Sequence, residues 1–181
     1  MYLTTTYDSP VGRCTIACDE SGSDLVGLWI EGQKYHGGLS LDDMKTSQSA
    51  SALRETATWL DQYFAGEEPA ISMLNLKPVG TSFRMAVWQI LQEIPYGQLT
   101  TYGEIARQMA ARSGKKSMSS QAVGGAVGHN PISIIIPCHR VVGADGSLTG
   151  YAGGLETKIR LLELEGTDMS DLYTPTKGTA L

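Results

Sequence analysis

The sequence predicts an α/β N-terminal domain, a small antiparallel sheet plus a helix, followed by a mainly helical C-terminal domain with a helix-turn-helix. Three observations carry this. The first 30 positions hold short apolar runs broken by turn residues. After position 80 the apolar residues recur at helical spacing. Between them, Glu67 to Gly80 with Pro69 and Pro78 reads as a connection. A chain of 181 residues is long enough for one domain or two small ones with a real core.

The predicted strands are Leu3 to Thr6, Gly12 to Cys18 with Cys14, Ile16 and Cys18 alternating, and Leu25 to Ile30, ended by Glu31-Gly32. Ser9-Pro10 and Ser21-Gly22-Ser23-Asp24 supply the turns. Residues 37–50 read as a loop. A helix from about Ala50 to Phe64 places Leu53, Ala57, Leu60 and Phe64 on one face, and Gly66 stops it.

Past the connection, Thr81-Ser82 offer caps for a helix with Phe83, Val87, Ile90, Leu91 and Ile94 on one face, closed by Pro95-Tyr96-Gly97. Thr101-Tyr102-Gly103-Glu104 fits a capping box and starts a short helix through Ile105 and Met109. After a polar turn, Arg112 to Lys116, Ser117 to Ser120 can cap a second short helix, Gln121 to Val127, built almost wholly of small residues. Two short helices joined by a turn suggest helix-turn-helix. The small residues fit close packing on a neighbouring helix equally with close approach to nucleic acid, where Ser120 and the helix amides meet phosphates. Only Gln121 could read a base edge, which argues against sequence-specific readout. An apolar strand is expected from Ile132 to Ile136, running into Pro137. The expected boundaries are 1–79, 80–166 and a loosely packed tail at 167–181.

The chain is 41% hydrophobic and 18% charged, with a net charge of −5. Residues 1–82 carry five Lys/Arg against eleven Asp/Glu and residues 83–166 eight against six, so an acidic front precedes a mildly basic back that leaves room for a phosphate-contacting surface. No apolar run approaches the ~20 residues that span a bilayer. The start lacks signal-peptide character, so a cytoplasmic protein is expected. Three cysteines, Cys14, Cys18 and Cys138, make no disulfide framework. Cys14 and Cys18 share a strand face with Ile16 and read as core, and with His36 and His129 they complete no convincing metal tetrad, so no metal is expected.

Cys138 and His139 fall where Pro137 forces the chain to bend. A thiolate is the reactive form of cysteine, and a neighbouring histidine can remove its proton. In a regular strand adjacent side chains point to opposite faces, so contact requires the turn or a bridging water. A Cys-His pair alone also fits a buried, inert cysteine beside a structural histidine.

The longer string Pro137-Cys138-His139-Arg140-Val141-Val142 resembles the signature of the O6-alkylguanine-DNA alkyltransferases, or methylated-DNA–protein-cysteine methyltransferases. The resemblance extends through Ala122-Val123-Gly124-Gly125-Ala126, Asn130-Pro131, Gly150-Tyr151-Ala152-Gly153-Gly154, Leu161-Leu162 and Glu165-Gly166. It is looser at Ser9-Pro10-Val11-Gly12 and Tyr63-Phe64-Ala65-Gly66. It implies a ribonuclease-H-like N-terminal domain and a helical C-terminal domain. It also implies a monomer that binds double-stranded DNA containing O6-alkylguanine through the minor groove, flips the base and transfers the alkyl group irreversibly, with no cofactor. O4-alkylthymine is a second candidate substrate.

By resemblance, Cys138 is the alkyl acceptor, His139 a base acting through a water, and Glu165 the group that orients it. Tyr102 assists the leaving base, and Asn130 braces the active-site loop. Tyr151, Val141, Ser133 and Ala152 border the substrate pocket, and Ser120, Gln121, Ala122 and Gly124 face DNA. Where many family members carry an intercalating arginine, this chain has Gln121, which predicts weaker DNA binding with the chemistry retained. Two rivals remain: a non-enzymatic alkylated-DNA recognition protein, against which Cys138 argues, and a cysteine hydrolase, which leaves the helix-turn-helix unexplained.

Overall fold

The computed structural model describes residues 1–34 and 39–176. His36, Gly37 and Gly38 lie outside them. In the first domain, β1 (Tyr2–Ser9), β2 (Gly12–Cys18) and β3 (Leu25–Ile30) form an antiparallel meander, and α1 (Ser51–Phe64) covers one face. Cys14, Ile16 and Cys18 point into that core with Leu28, Leu53 and Leu60, as the alternation requires. Ala17, Val26 and Trp29 are buried on the other face.

The expectation of a wholly antiparallel sheet is corrected by β4 (Met44–Thr46), which lies parallel to β1 in the order β3-β2-β1-β4. In the sequence, residues 37–50 read as loop because this strand has three residues, of which Lys45 and Thr46 are exposed. So short an edge strand has no alternation to detect; β1 supplies its pairing.

In the second domain, α2 (Ser82–Gln92) buries Val87, Trp88, Ile90 and Leu91. The helix-turn-helix is α3 (Tyr102–Arg112) and α4 (Ser120–Gly128), with α5 (Leu155–Leu164) behind the Cys138 turn. Each of the first three is capped as the side chains allow: Thr81 accepts from the Arg84 amide, Thr101 from Glu104 and Ser119 from Ala122. Only half of the capping box forms, since the Glu104 carboxylate pairs with Arg107. Helix α4 is tied to α2 by the Trp88 indole, which donates to the Ala126 carbonyl at 2.8 Å. A two-residue strand, β5 (Thr100–Thr101), pairs in parallel with β6 (Val141–Val142).

The outer edge of β3 is occupied along its length. Leu25 exchanges backbone bonds with Asn75 and Lys77 in the connection, and Leu28 with Pro131 and Ser133 in the second domain. The domains therefore meet through main-chain pairing, which removes an exposed edge. Thr167 to Tyr173, expected to be a loose tail, is packed: Met169 and Leu172 sit against Leu148 and Leu162, and Tyr173 pairs with Ser147. Two apolar residues without a period were too weak a sequence signal for this.

Candidate active site

Ile132 to Ile136 is not the expected strand. It makes a single bridge to Leu28 at Ile132 and then turns, with Ile134 at φ 71° and the Ile135 amide bonded to the Ser133 carbonyl at 2.8 Å. A β-branched residue in the left-handed region costs on the order of 1–3 kcal/mol. A second tight turn follows: Pro137 lies at φ −81°, ψ 64°, and the Cys138 amide donates to the Ile136 carbonyl at 2.8 Å. Asn130 holds both turns. Its Nδ2 donates to the Ile136 carbonyl at 2.7 Å and the Ile132 carbonyl at 3.3 Å, and its Oδ1 accepts from the Ile132 amide at 3.1 Å. An all-apolar run folds this way because one buried amide satisfies the main-chain groups that a neighbouring strand would have taken.

Cys138 opens a one-turn 3-10 helix, Cys138–Arg140, and is 6% exposed. The Asn130 amide also donates to its Sγ at 3.1 Å. Burial pushes the thiol up, while the Asn130 bond and the charge of Lys158 pull it down. The side chain of His139 is fully buried, with Nε2 2.6 Å from Glu165 Oε1. An ionised carboxylate can only accept, so Nε2 carries the proton and Nδ1 presents a lone pair. Nδ1 is buried with no hydrogen-bond partner among the described residues. Burial holds His139 below its ordinary value, opposed by Glu165.

Glu165 caps α5 and accepts five hydrogen bonds. Oε1 takes His139, the Tyr63 hydroxyl at 2.7 Å and Arg140 Nη2 at 2.9 Å; Oε2 takes Arg140 Nε at 2.8 Å and the Gly97 amide at 3.3 Å. Burial would raise its carboxyl, but the bonds from His139 and Arg140 outweigh that and hold it well below the usual range. Arg140, buried, also donates to the Ile94 carbonyl and lies over the Tyr96 ring.

Across the turn, the Tyr102 hydroxyl donates to the Thr149 carbonyl at 3.0 Å and is raised to about 12 by burial and the proximity of Cys138. The Tyr151 ring stands edge-on to His139 with centroids 6.5 Å apart, and its hydroxyl is buried. Lys158, fully buried, ties the Thr149 loop to the Cys138 turn by donating to the Thr149 and Val141 carbonyls; burial lowers it to about 8. The structure thus gathers Cys138, His139, Glu165, Tyr102, Asn130 and Tyr151 around one turn. Val141 is fully buried beside it. Ser133 and Ala152 lie at the boundary with the first domain: the Ser133 hydroxyl donates to Gln33 at 2.9 Å, and the Ala152 carbonyl accepts from the Lys34 amide at 3.2 Å.

Sequence reasoning missed Tyr63, Gly97, Arg140 and Lys158. Lys158 did leave a signal, a cation on the apolar face of Leu161, Leu162 and Leu155. Tyr63 stands only in the looser part of the resemblance, and an aromatic on the inner face of a helix looks like core.

Helix α4 divides its small residues between a buried and an exposed face. Val123, Ala126 and Val127 are buried, while Ser120, Gln121, Ala122 and Gly125 are exposed. Gly124 lies where a Cβ would sit 3.8 Å from the Tyr102 ring. Alongside, α3 and its following turn form a groove of about 400 Å³ lined by Arg107, Lys115, Lys116, Ser117 and Ser120.

Comparison with known proteins covers both halves of the chain. Residues 2–78 match the ribonuclease-like domain of 6-O-methylguanine DNA methyltransferase, and residues 82–167 match its DNA binding domain. A methylated-DNA–protein-cysteine methyltransferase of Haemophilus influenzae is 43% identical over 161 residues, covering 89% of this chain and 84% of the relative. One from Methanosarcina acetivorans is also 43% identical, covering 89% and 96%. The crystal structure of Mycobacterium tuberculosis OGT in complex with DNA superposes with a TM-score of 0.78 at 42% identity, covering 90% of this chain and 92% of that one. With family models matched over residues 2–78 and 82–167 and a relative 43% identical across 89% of the chain, the chain belongs to the 6-O-methylguanine DNA methyltransferase family.

Proposed function

We propose that this chain repairs DNA by a single, irreversible transfer of the alkyl group of O6-alkylguanine to Cys138, with O4-alkylthymine a second substrate of the same geometry. The supporting observation is a thiol held by Asn130 beside a histidine whose Nε2 is pinned to a carboxylate and whose Nδ1 is buried with no hydrogen-bond partner among the described residues. His139 Nδ1 takes the thiol proton through a bridging water, and Glu165 stabilises the imidazolium that results. The Cys138 Sγ–carbon bond forms as the carbon–O6 bond breaks, and the electron pair leaves on the guanine. Tyr102, relinquishing the Thr149 carbonyl, donates to that leaving base. Tyr151 and Val141 wall the alkyl pocket, with Ser133 and Ala152 shaping it from the domain boundary.

DNA is taken through its minor groove on the exposed small-residue face of α4, with Ser120, Ala122 and Gly124 near the backbone and Gln121 filling the gap left by the flipped base. Residues 80–166 carry the chemistry, residues 1–79 brace it, and one chain holds every group, so it acts as a monomer. No cofactor enters the reaction. The acceptor must stay a thiol, which suits the reducing cytosol.

Intact mass and peptide mapping after mixing wild type and Cys138→Ala with an oligonucleotide containing O6-methylguanine test this. One methyl on Cys138 per wild-type chain, and none on the variant, is expected. Tight binding without a mass gain would mean damage recognition instead.

A further inference from the structure

Tyr63 belongs to the first domain, 102 positions before the carboxylate it bonds. Its ring is stacked on Trp59 at 5.4 Å and met edge-on by Phe64 at 5.2 Å and Tyr96 at 6.1 Å, so its hydroxyl is aimed by packing that does not involve Glu165. The residue is 1% exposed. The oxygen it reaches is the one that accepts His139, and Arg140 shares it too. Three donors on one oxygen divide its charge, so each weakens the hold of the others.

We propose that Tyr63 is a positioning residue through which the N-terminal domain sets how strongly Glu165 holds the His139 proton, and with it the pH at which Cys138 can be deprotonated. The inference rests on the assignment of His139 as the base for Cys138. The ionisable groups facing the pair are Arg140, Tyr63, Tyr96, Tyr151 and Lys158, and Arg140 alone cannot replace the hydroxyl because its fork is already spread over both oxygens and the Ile94 carbonyl. Removing the hydroxyl strengthens the His139–Glu165 bond and makes His139 hold its proton to higher pH. A stronger donor does the reverse.

The test compares wild type, Tyr63→Phe and a chain carrying 3-fluorotyrosine at position 63. The single-turnover methyl-transfer rate with an O6-methylguanine oligonucleotide and the iodoacetamide alkylation rate of Cys138 are each followed against pH. Tyr63→Phe is expected to move the acidic midpoint up by about half a unit to one unit, a loss of about threefold to tenfold on that limb, because bonds to charged groups carry that weight. Fluorotyrosine is expected to move it down. Midpoints unmoved in both, or a rate lowered equally at every pH, overturn the proposal. Should Tyr63→Phe fail to fold, the fluorotyrosine chain, which keeps the ring, decides. Alkylation by iodoacetamide without methyl transfer in the wild type would sink the transferase reading while leaving the Tyr63 comparison readable.

Discussion

Glu165 is a buried charge made tolerable by its donors. Arg140 neutralises it, His139 and Tyr63 share one oxygen, and Gly97 holds the other. Removing one partner of such a pair leaves the other charge uncompensated. Glu165→Gln is therefore expected to lower stability by about 3–5 kcal/mol at neutral pH, measured by urea unfolding. Because the folded carboxyl titrates well below its unfolded value, this stabilisation is complete above the ordinary carboxylate range, begins to be lost as pH falls through that range, and is gone only below the depressed folded value. The gap between wild type and variant should thus narrow below about pH 4. A gap independent of pH would show that the carboxylate charge is not what the network depends on. The Cys138–His139 pair was legible in the sequence because its members are adjacent; Asn130, eight positions before Cys138, and Glu165, 26 after His139, were legible only through the family resemblance.

The capped helices were the legible elements. Thr81, Thr101 and Ser119 act on amides three residues on, and interactions that local survive in any fold. Ile132 to Ile136 was misread because β propensity describes a residue on a pleated surface, whereas here Asn130 supplies the pairing. On the elements proposed to face DNA, Lys115 and Lys116 line the α3 groove beside exposed Ser120 and Gln121. The double variant Lys115→Gln/Lys116→Gln is expected to reduce the salt dependence of DNA affinity by a slope of about 1 to 2, leaving transfer from the bound complex unchanged. Gln121→Arg should act oppositely, tightening binding and steepening the slope. Affinities measured across a salt series read both, and an unaltered slope in the lysine variant would remove this groove from the interface.

At the scale of the molecule, the two domains share a sheet edge, a carboxylate and a buried amide. Gln33 accepts from the Ile30 amide at 3.2 Å within its own domain and from the Ser133 hydroxyl across the boundary at 2.9 Å. Gln33→Ala removes the acceptor of both, and a loss of about 1–3 kcal/mol is expected from buried donors left unmade. Thermal unfolding should fall in one transition if the domains melt together. Two separated transitions would show that β3 and the 131–133 segment do not couple them.

The sequence by itself determined helices α1 to α4 and the caps of α2 to α4, the meander of β1 to β3, the thiol beside an imidazole after Pro137, and the family string around it. All of these depend on neighbours within a few positions, or on residue identities read in order. The tertiary structure alone decided the parallel β4, the tight turns between Ile132 and Cys138, the buried Lys158 between two carbonyls, and the addition of Tyr63, Gly97 and Arg140 to the partners of Glu165. Those contacts join segments as much as 102 residues apart. Which side chains meet there is set by how the domains dock, and no local propensity encodes it.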